Sequence, residues 1–198
     1  MKPPNVAESG PGTRTTERRP PGPVSAAWLQ RVALYYLERY SASTEMLRRT
    51  LSRRVDKRAR LRGEDPSAFA EMIAATVARA VSAGLVDDVR FADTRLATLR
   101  RRGTSSRGAA AKLAAKGVPR DVVEATMRAE REAIPEAEAA DIELQAARAY
   151  AKRRRLGTHR RPDTRELYRD RDLGALARAG FSYDLARRVV DADPDEVE

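Results

Sequence analysis

The residues with the greatest capacity for chemistry in this sequence are arginines and lysines, which occur in runs. The chain of 198 residues has 39 basic and 29 acidic side chains, a formal net charge of +10. Guanidinium groups bind phosphates and carboxylates in a planar, bidentate way, so the runs predict a polyanion or an acidic protein groove as partner. The alternative is a solvated Arg-rich surface, with cations at helix ends that complement the helix dipole. The candidate partner-binding residues are Arg100, Arg101, Arg102, Arg107, Lys112, Lys116, Lys152, Arg153, Arg154 and Arg155.

Groups for catalysis or metal binding are sparse. The chain has no Cys, which excludes disulfides, thiolate nucleophiles and Cys-based metal sites. Its one His, His159, lies in a basic segment without a paired nucleophile or ligand cluster. No Gly-rich phosphate loop and no credible carboxylate pair is present, so we expect no enzymatic activity and no cofactor or metal. Aromatic residues make up 5% of the chain, which argues against a base-stacking platform for single strands.

The elements that would position these residues are helices. Val89, Ala92, Leu96 and Leu99 are spaced as one helical stripe that leads into the first basic run. An Asp at 87 or 88 would cap this helix, a Ser at 105 or 106 would cap the next, and Gly residues at 103, 117 and 180 would end helices. Residues 55–66 are expected to form a polar connection between the second and third helices.

Composition divides the chain into four parts. Residues 1–24, rich in Pro and Gly, are expected to be a disordered arm. Helical modules are predicted over residues 25–83, 84–133 and 134–198, and the last ends in an acidic tail. No apolar run is long enough to span a membrane and the N-terminus lacks an apolar signal region, so a cytoplasmic protein is expected.

The helical segments repeat. Residues 34–51 align with residues 96–113 at an offset of 62, and residues 176–190 align with residues 113–127 at an offset of 63. Repeats of this size bury a continuous core only by stacking, and they leave long surfaces for elongated partners. The sequence therefore predicts an all-α fold of three tandem three-helix modules with nine main helices, forming an elongated curved array.

Three motifs resemble the RecX family of bacterial regulatory proteins. The first is GLVDDVRFA at residues 84–92, which contains Asp87, Asp88, Arg90 and Phe91. The second is Arg-Gly at 102–103 followed by Leu113 and then Lys-Gly-Val at 116–118, and the third is AGFSY at 179–183, with Gly180 and Phe181. The family's Ser-x-x-Glu-Leu pattern is altered, because Met46 takes the place of the Glu. Glu45 is expected to substitute in part for the lost capping carboxylate.

The resemblance implies a function that composition does not show. Family members bind RecA, lie in the groove of its filament on DNA, and restrain its ATPase and strand exchange in recombinational repair and the SOS response. It implies RecA and the RecA–DNA filament as partners of a monomer, with a weak direct DNA contact. The first motif is either a structural link between modules or a RecA contact. The competing hypothesis is a helical repeat protein that binds DNA or RNA directly.

Overall fold

Helices account for nearly all of the regular structure. The computed structural model describes residues 21–133 and 135–193, and these ranges contain nine α-helices, three short 3₁₀ turns and no β-strand. The α-helices, numbered in chain order, are α1 Ala26–Leu37, α2 Thr44–Arg60, α3 Ala70–Ser82, α4 Asp88–Arg101, α5 Ser106–Ala115, α6 Arg120–Glu132, α7 Glu136–Arg154, α8 Arg165–Arg178 and α9 Tyr183–Val190. The 3₁₀ turns are Pro66–Phe69, Gly157–His159 and Pro162–Thr164. The predicted all-α fold is confirmed.

Successive groups of three helices enclose separate apolar cores. The first module, α1–α3, buries Leu29, Leu47, Leu51, Val55, Ile73 and Val77. The second, α4–α6, buries Phe91, Leu96, Leu99, Leu113, Val118 and Val123. The third, α7–α9, buries Leu144, Ala147, Leu173, Leu176, Phe181 and Val189. Three-helix modules are therefore confirmed as the building unit, whereas the boundaries between one module and the next and the curvature of the array stay predictions.

Polar side chains fix the starts of five helices. Ser25, Ser43, Asp87, Ser105 and Ser182 each accept a hydrogen bond from the backbone N–H three residues later. These bonds satisfy N–H groups that have no partner within the helix. Of the alternatives that the sequence left open, Asp87 rather than Asp88 caps α4, and Ser105 rather than Ser106 caps α5.

The second helix is longer than predicted. The expectation of a polar connection from residue 55 onward is wrong, because α2 continues to Arg60. Val55 and Ala59 are fully buried and extend the four-residue spacing of Leu47 and Leu51. Burial of this stripe stabilises the helix as far as Arg60. The many charged residues of the segment had suggested a loop.

The first module begins earlier than predicted. Val24 is buried in the core of α1–α3, although it was assigned to the arm. Arg58 and Arg62 donate to the backbone carbonyls of Gly22 and Pro21. The boundary between arm and module therefore lies before Val24. Most of the predicted arm, residues 1–20, and the end of the acidic tail, residues 194–198, lie outside the described residues.

Candidate partner-binding surface

A buried serine joins the first module to the second. Ser43 caps α2 through the N–H of Met46, and its hydroxyl also donates to the backbone carbonyl of Lys116 at 2.5 Å. The next residue, Thr44, donates its backbone N–H to Asp88 Oδ1 in the first turn of α4 at 2.8 Å. The first turn of α2 is therefore hydrogen-bonded to the C-terminal end of α5 and to the N-terminal end of α4.

The second junction repeats the first. Ser105 caps α5, and its hydroxyl donates to the backbone carbonyl of Ala179 at 2.6 Å. Ser106 donates its backbone N–H to Glu143 Oε1 on α7 at 3.0 Å. Ser43 and Ser105 are separated by the repeat offset of 62, and neither is exposed to solvent. We call the Ser43–Lys116 and Ser105–Ala179 bonds the serine latches.

The glycines of the second and third motifs lie beside the latches. Gly117 and Gly180 follow the accepting carbonyls and have φ of 76° and 94°. A Cβ added at Gly117 would lie 2.4 Å from the Cβ of Glu45, and one added at Gly180 would lie 2.7 Å from Ser105 Oγ. These positions need glycine both for the left-handed backbone and for the close approach of the preceding module.

Phe181 and Met46 contribute apolar contacts at the same places. Phe181 is buried in the third core, with its ring centroid 5.9 Å from that of Tyr150. Met46, on α2, packs against the core of the second module. The substitution of Glu by Met in the family pattern thus adds an apolar contact across the first junction. Glu45 does not replace the missing capping carboxylate, because it pairs with Arg48 and Arg49.

The first motif supplies contacts within and around α4. Asp87 accepts the N–H of Arg90 at 3.0 Å, and the Arg90 guanidinium donates to the carbonyl of Gly84 at 3.0 Å. Phe91 is buried in the second core, and Asp88 binds Thr44 across the first junction. The side chains of Asp87, Asp88, Arg90 and Phe91 thus all have structural contacts. A RecA contact by the exposed Asp87 and Arg90 stays a prediction.

Arg100 was expected to lie on an exposed basic surface, but it does not. Its guanidinium forms ion pairs with Glu130 at 2.7 Å and Glu143 at 3.1 Å, and only 12% of its side chain is exposed. It also donates to the Thr104 carbonyl and to the Ser106 hydroxyl. Burial disfavours the charge of Arg100, but the hydrogen bonds and charges of the two glutamates outweigh burial and raise its pKa. Arg100 is committed to the second junction.

The end of α4, which carries the first basic run, packs against α7, which carries the second. Gly103, which ends α4, packs so closely on α7 that an added Cβ would lie 2.3 Å from the backbone nitrogen of Tyr150. The C-terminal end of α4 therefore contacts α7 about one turn before α7 ends at Arg154. Lys112 adds to this region through a contact of its amine with the Thr104 hydroxyl at 3.4 Å. We call the exposed cations here the α4–α7 basic patch: Arg101, Arg102, Lys112, Lys152, Arg153, Arg154 and Arg155.

Within the described residues, none of the ion pairs involves a cation of the α4–α7 basic patch. Arg153 and Arg154 lie 5.8 and 5.9 Å from the ring centroid of Tyr150, which leaves their N–H donors available. Exposed guanidinium groups without carboxylate partners are suited to binding acidic or phosphate groups from outside.

Two predicted contact residues lie apart from this patch. Arg107, on α5, is next to Gly180 at the second latch. Lys116 lines a groove at the first junction together with Arg48, Arg49 and Arg53. The structure thus assigns Arg100 to an internal network and places Arg107 and Lys116 at the two junctions. A common binding surface formed by the other seven predicted residues stays a prediction.

The single histidine is not part of a reactive cluster. Burial, together with the charges of Lys152 and Arg165, lowers the pKa of His159, which favours the neutral imidazole. In the part of the chain that the structure describes, no group of three or more His, Cys, Asp or Glu residues could hold a metal ion. None of the described helices is long and apolar enough to cross a membrane.

Known proteins resemble this chain over nearly its whole length. The regulatory protein RecX of Myxococcus xanthus (strain DK1622) is 40% identical over 191 residues, which cover 95% of this chain and 98% of that protein. The chain belongs to the RecX family. The regulatory protein RecX of Agrobacterium fabrum (strain C58 / ATCC 33970) is 27% identical over 172 residues, or 87% of this chain and 86% of that protein. No solved structure matches.

The second module carries the family's domain signature. A family model described as the second three-helix domain of RecX matches residues 87–127. The match begins at the cap of α4, Asp87, and ends within α6. The protein is therefore a RecX-family regulatory protein whose central module lies between the two serine latches.

Sequence analysis missed the double role of the latch serines. Both serines were candidates as helix caps, but the carbonyls that accept their hydroxyl hydrogens are 73 and 74 residues away. One signal was present in the repeat alignment, because the offset of 62 places Ser105 on Ser43 and Ser106 on Thr44.

Proposed function

We propose that the protein binds RecA and its nucleoprotein filament and restrains RecA's ATPase and strand exchange. The observation that carries the proposal is the α4–α7 basic patch, an exposed set of cations at a hydrogen-bonded junction between modules. The family relationship and the three RecX-like motifs supply the identity of the partner. The proposal includes action as a cytoplasmic monomer in recombinational repair and the SOS response.

The junction gives the patch a fixed shape. The Ser105 latch and the ion pair of Arg100 with Glu143 tie α4 and α5 to the third module, so the end of α4 that carries Arg101 and Arg102 has a fixed position against that module. A preorganised set of charges loses less conformational freedom on binding than a flexible one does. An acidic groove of a filament, with phosphates nearby, would attract this patch over about 8–10 Å at physiological salt.

Direct binding to DNA or RNA is the second candidate function. The exposed guanidinium groups of the patch favour it, because they match phosphates as well as carboxylates. Binding that neutralises several phosphates weakens steeply as salt rises, since each contact releases condensed counterions. The salt dependence on naked DNA therefore separates this function from recognition of RecA.

A co-sedimentation experiment tests the proposal. The protein is mixed with RecA alone, with RecA–single-stranded DNA filaments formed with a non-hydrolysable ATP analogue, and with naked DNA at several salt concentrations. We expect tight binding to filaments and little binding to DNA alone. Tight, steeply salt-dependent binding to naked DNA with no gain from RecA would instead support direct nucleic-acid binding.

A pair of double variants locates the site. Arg101→Ser/Arg102→Ser removes two charges from the patch, and Lys57→Ser/Arg60→Ser removes two exposed charges from the end of α2. Both pairs lie at helix ends, so their effects on the helix dipole are alike. We expect only the first variant to bind filaments more weakly. Equal weakening by both would mean that net charge, rather than the patch, determines binding.

A further inference from the structure

An acidic segment follows α9 directly, and it begins beside the second basic run. Val190, the last residue of α9, packs so closely on Gly157 that a Cβ added at Gly157 would lie 2.8 Å from the Cα of Val190. Gly157 is two residues beyond the run at residues 152–155. We call residues 191–198 the acidic tail. We propose that the tail binds residues 152–155 of its own chain and competes there with acidic partners from outside.

A tight turn at the end of α7 places the run near the start of the tail. Arg155 ends the helix in the left-handed conformation, with φ of 54°. Leu156 and Gly157, which follow, are both buried. Gly157 donates its backbone N–H to the buried carboxylate of Asp172 at 2.9 Å. This hydrogen bond holds Gly157 in the third module, so its contact with Val190 is a fixed feature of the fold.

The start of the tail is anchored to α8. Asp191 accepts hydrogen bonds from Arg169 Nε at 2.7 Å and from a second nitrogen of the same guanidinium at 2.6 Å. These bonds, with the charges of Arg169 and Arg187, outweigh partial burial and lower the pKa of Asp191, so this carboxylate stays charged near neutral pH. The residues after Asp191 therefore leave from a defined position on the third module.

The tail is long enough to cover the run. Its last five residues, 194–198, lie outside the described residues. An extended chain advances about 3.3–3.6 Å per residue, so the eight residues of the tail can span roughly 26–29 Å. Lys152 lies five Cα steps before Gly157, which puts these two Cα atoms at most about 19 Å apart. The actual separation is shorter, because α7 continues to Arg154 and a helix rises only about 1.5 Å per residue.

The tail and the run have matching charges. Residues 152–155 are four exposed cations, and none of them takes part in an ion pair within the described part of the chain. Beyond Asp191 the tail carries four acids, Asp193, Asp195, Glu196 and Glu198. A short tether keeps such a segment at a roughly millimolar effective concentration near its site. Because exposed ion pairs are individually weak, a partner with a denser negative charge can displace the tail.

Other cations close to the tail are already balanced by acids. Arg187 and Arg188 share a surface groove with three acids, Asp184, Asp191 and Asp193. The run at residues 152–155 has no carboxylate among its described ion-pair partners, so it gains more from the tail than these two arginines do.

The contact involves this chain alone and does not depend on RecA. Its regulatory consequence rests on the proposed function, because residues 152–155 belong to the α4–α7 basic patch. A partner that must displace the tail binds with an apparent affinity reduced by the fraction of molecules whose run is open. The tail would therefore select for strongly acidic partners over weakly acidic ones.

Carbodiimide crosslinking tests the contact, because it joins an amine to a carboxylate only where the two meet. The chain has five lysines, and Lys152 alone lies in the run. The full-length protein is crosslinked without RecA or DNA and cut with trypsin, which releases residues 189–198 as one peptide. Mass spectrometry should find Lys152 joined to the tail, with a yield that does not depend on protein concentration. The yield should fall at about 1 M salt, where the screening length is about 3 Å. Lys57, exposed on α2, is the control and should not be joined to the tail.

A neutral variant of the tail tests competition. Asp195→Asn/Glu196→Gln/Glu198→Gln removes three charges and keeps the length of the tail. It should bind a fluorescein-labelled peptide of about ten glutamates roughly three- to tenfold more tightly than the wild type, as measured by anisotropy. Addition of Lys152→Ser/Arg153→Ser should abolish this gain, because the run that the tail covers is then disabled.

A second set of acids in the third module provides the matched control. Asp163→Asn/Glu166→Gln/Asp170→Asn removes three exposed carboxylates and changes the net charge by the same amount. This variant should bind the glutamate peptide nearly as the wild type does. Circular dichroism checks that each variant remains helical.

Three results would overturn the proposal. One is a tail joined to Lys57 as readily as to Lys152, or to neither. Another is a crosslink between two copies, seen by mixing isotope-labelled and unlabelled protein, which would assign the run to a second molecule. The third is an equal gain in affinity for the tail variant and its control, which would mean that net charge alone determines peptide binding. Failure to bind RecA would leave these readouts unchanged, so the two proposals fail separately.

Discussion

Neighbouring arginines at the end of α4 differ in what they contact. Arg100 is held by Glu130 and Glu143. Arg101 is exposed, and its guanidinium contacts the Thr98 hydroxyl of its own helix at 3.4 Å. A run of three arginines therefore contains one structural and two surface residues. A triple substitution of the run would confuse loss of binding with loss of stability, so tests of partner binding should leave Arg100 intact.

The first prediction separates these two roles. Arg100→Ser should lower the free energy of unfolding by about 2–3 kcal/mol, because it removes charged hydrogen bonds and leaves two carboxylates without their cation. Arg101→Ser should change it by less than about 0.5 kcal/mol, as expected for an exposed position. Urea denaturation followed by circular dichroism measures both values. Equal, small losses would mean that the Arg100 network contributes little.

Sequence analysis could not identify the role of Arg100. Its partners are 30 and 43 residues further along the chain, on α6 and α7. A run of identical charges looks uniform in sequence, and only the packing of the third module against the second distinguishes its members. The surface role of Arg101 and Arg102 required no such knowledge, because helix-end cations are commonly exposed.

At the scale of helices, the serine latches are the distinctive feature. Each latch uses one hydroxyl as a helix cap and as a donor to the next module. The same arrangement occurs at both junctions, which is what repetition of one structural unit produces. Helix capping and module stacking are therefore coupled through two side chains, Ser43 and Ser105.

The second prediction compares a latch serine with a simple cap. Ser105→Ala should destabilise the protein by about 2–3 kcal/mol, because it removes the cap and leaves the Ala179 carbonyl without its donor. Ser182→Ala removes only the cap of α9 and should cost about 1 kcal/mol. Chemical denaturation of both variants measures the difference. If the two losses were the same, the bond across the junction would add nothing to stability.

The third prediction separates backbone strain from crowding. Gly117→Ala and Gly84→Ala both place a Cβ at positive φ, 76° and 67°, but only at Gly117 does the Cβ meet another side chain, that of Glu45. Gly84→Ala should cost about 1–2 kcal/mol, the penalty of a left-handed residue. Gly117→Ala should cost roughly 1–3 kcal/mol more because the first junction is overpacked. Similar unfolding midpoints for the two variants would exclude a close junction.

Much of the helical framework was predictable because it depends on local signals. Asp87 and Ser105 cap helices, and Gly103 ends one. All three act through neighbouring residues of the chain. The extension of α2 was missed, although Val55 and Ala59 continue its buried stripe, because charged residues surround them. The assignment of Val24 to the arm failed for a similar reason, since one buried residue cannot be recognised inside a Pro- and Gly-rich segment.

At the scale of the whole molecule, the cations of the α4–α7 basic patch come from the second and third modules. The serine latches connect all three modules, so these cations are carried on one hydrogen-bonded framework. A framework of stacked repeats suits a regulator of an elongated partner.

The most direct test of the proposed function measures RecA's ATP hydrolysis on single-stranded DNA as the protein is added. We predict inhibition at micromolar concentrations of the wild type and no ATP hydrolysis by the protein itself. Arg101→Ser/Arg102→Ser should inhibit several-fold more weakly, and its Lys57→Ser/Arg60→Ser control should inhibit like the wild type. Full inhibition by a folded Arg101→Ser/Arg102→Ser variant would move the site away from these arginines. No inhibition by the wild type at micromolar excess over RecA would contradict the account.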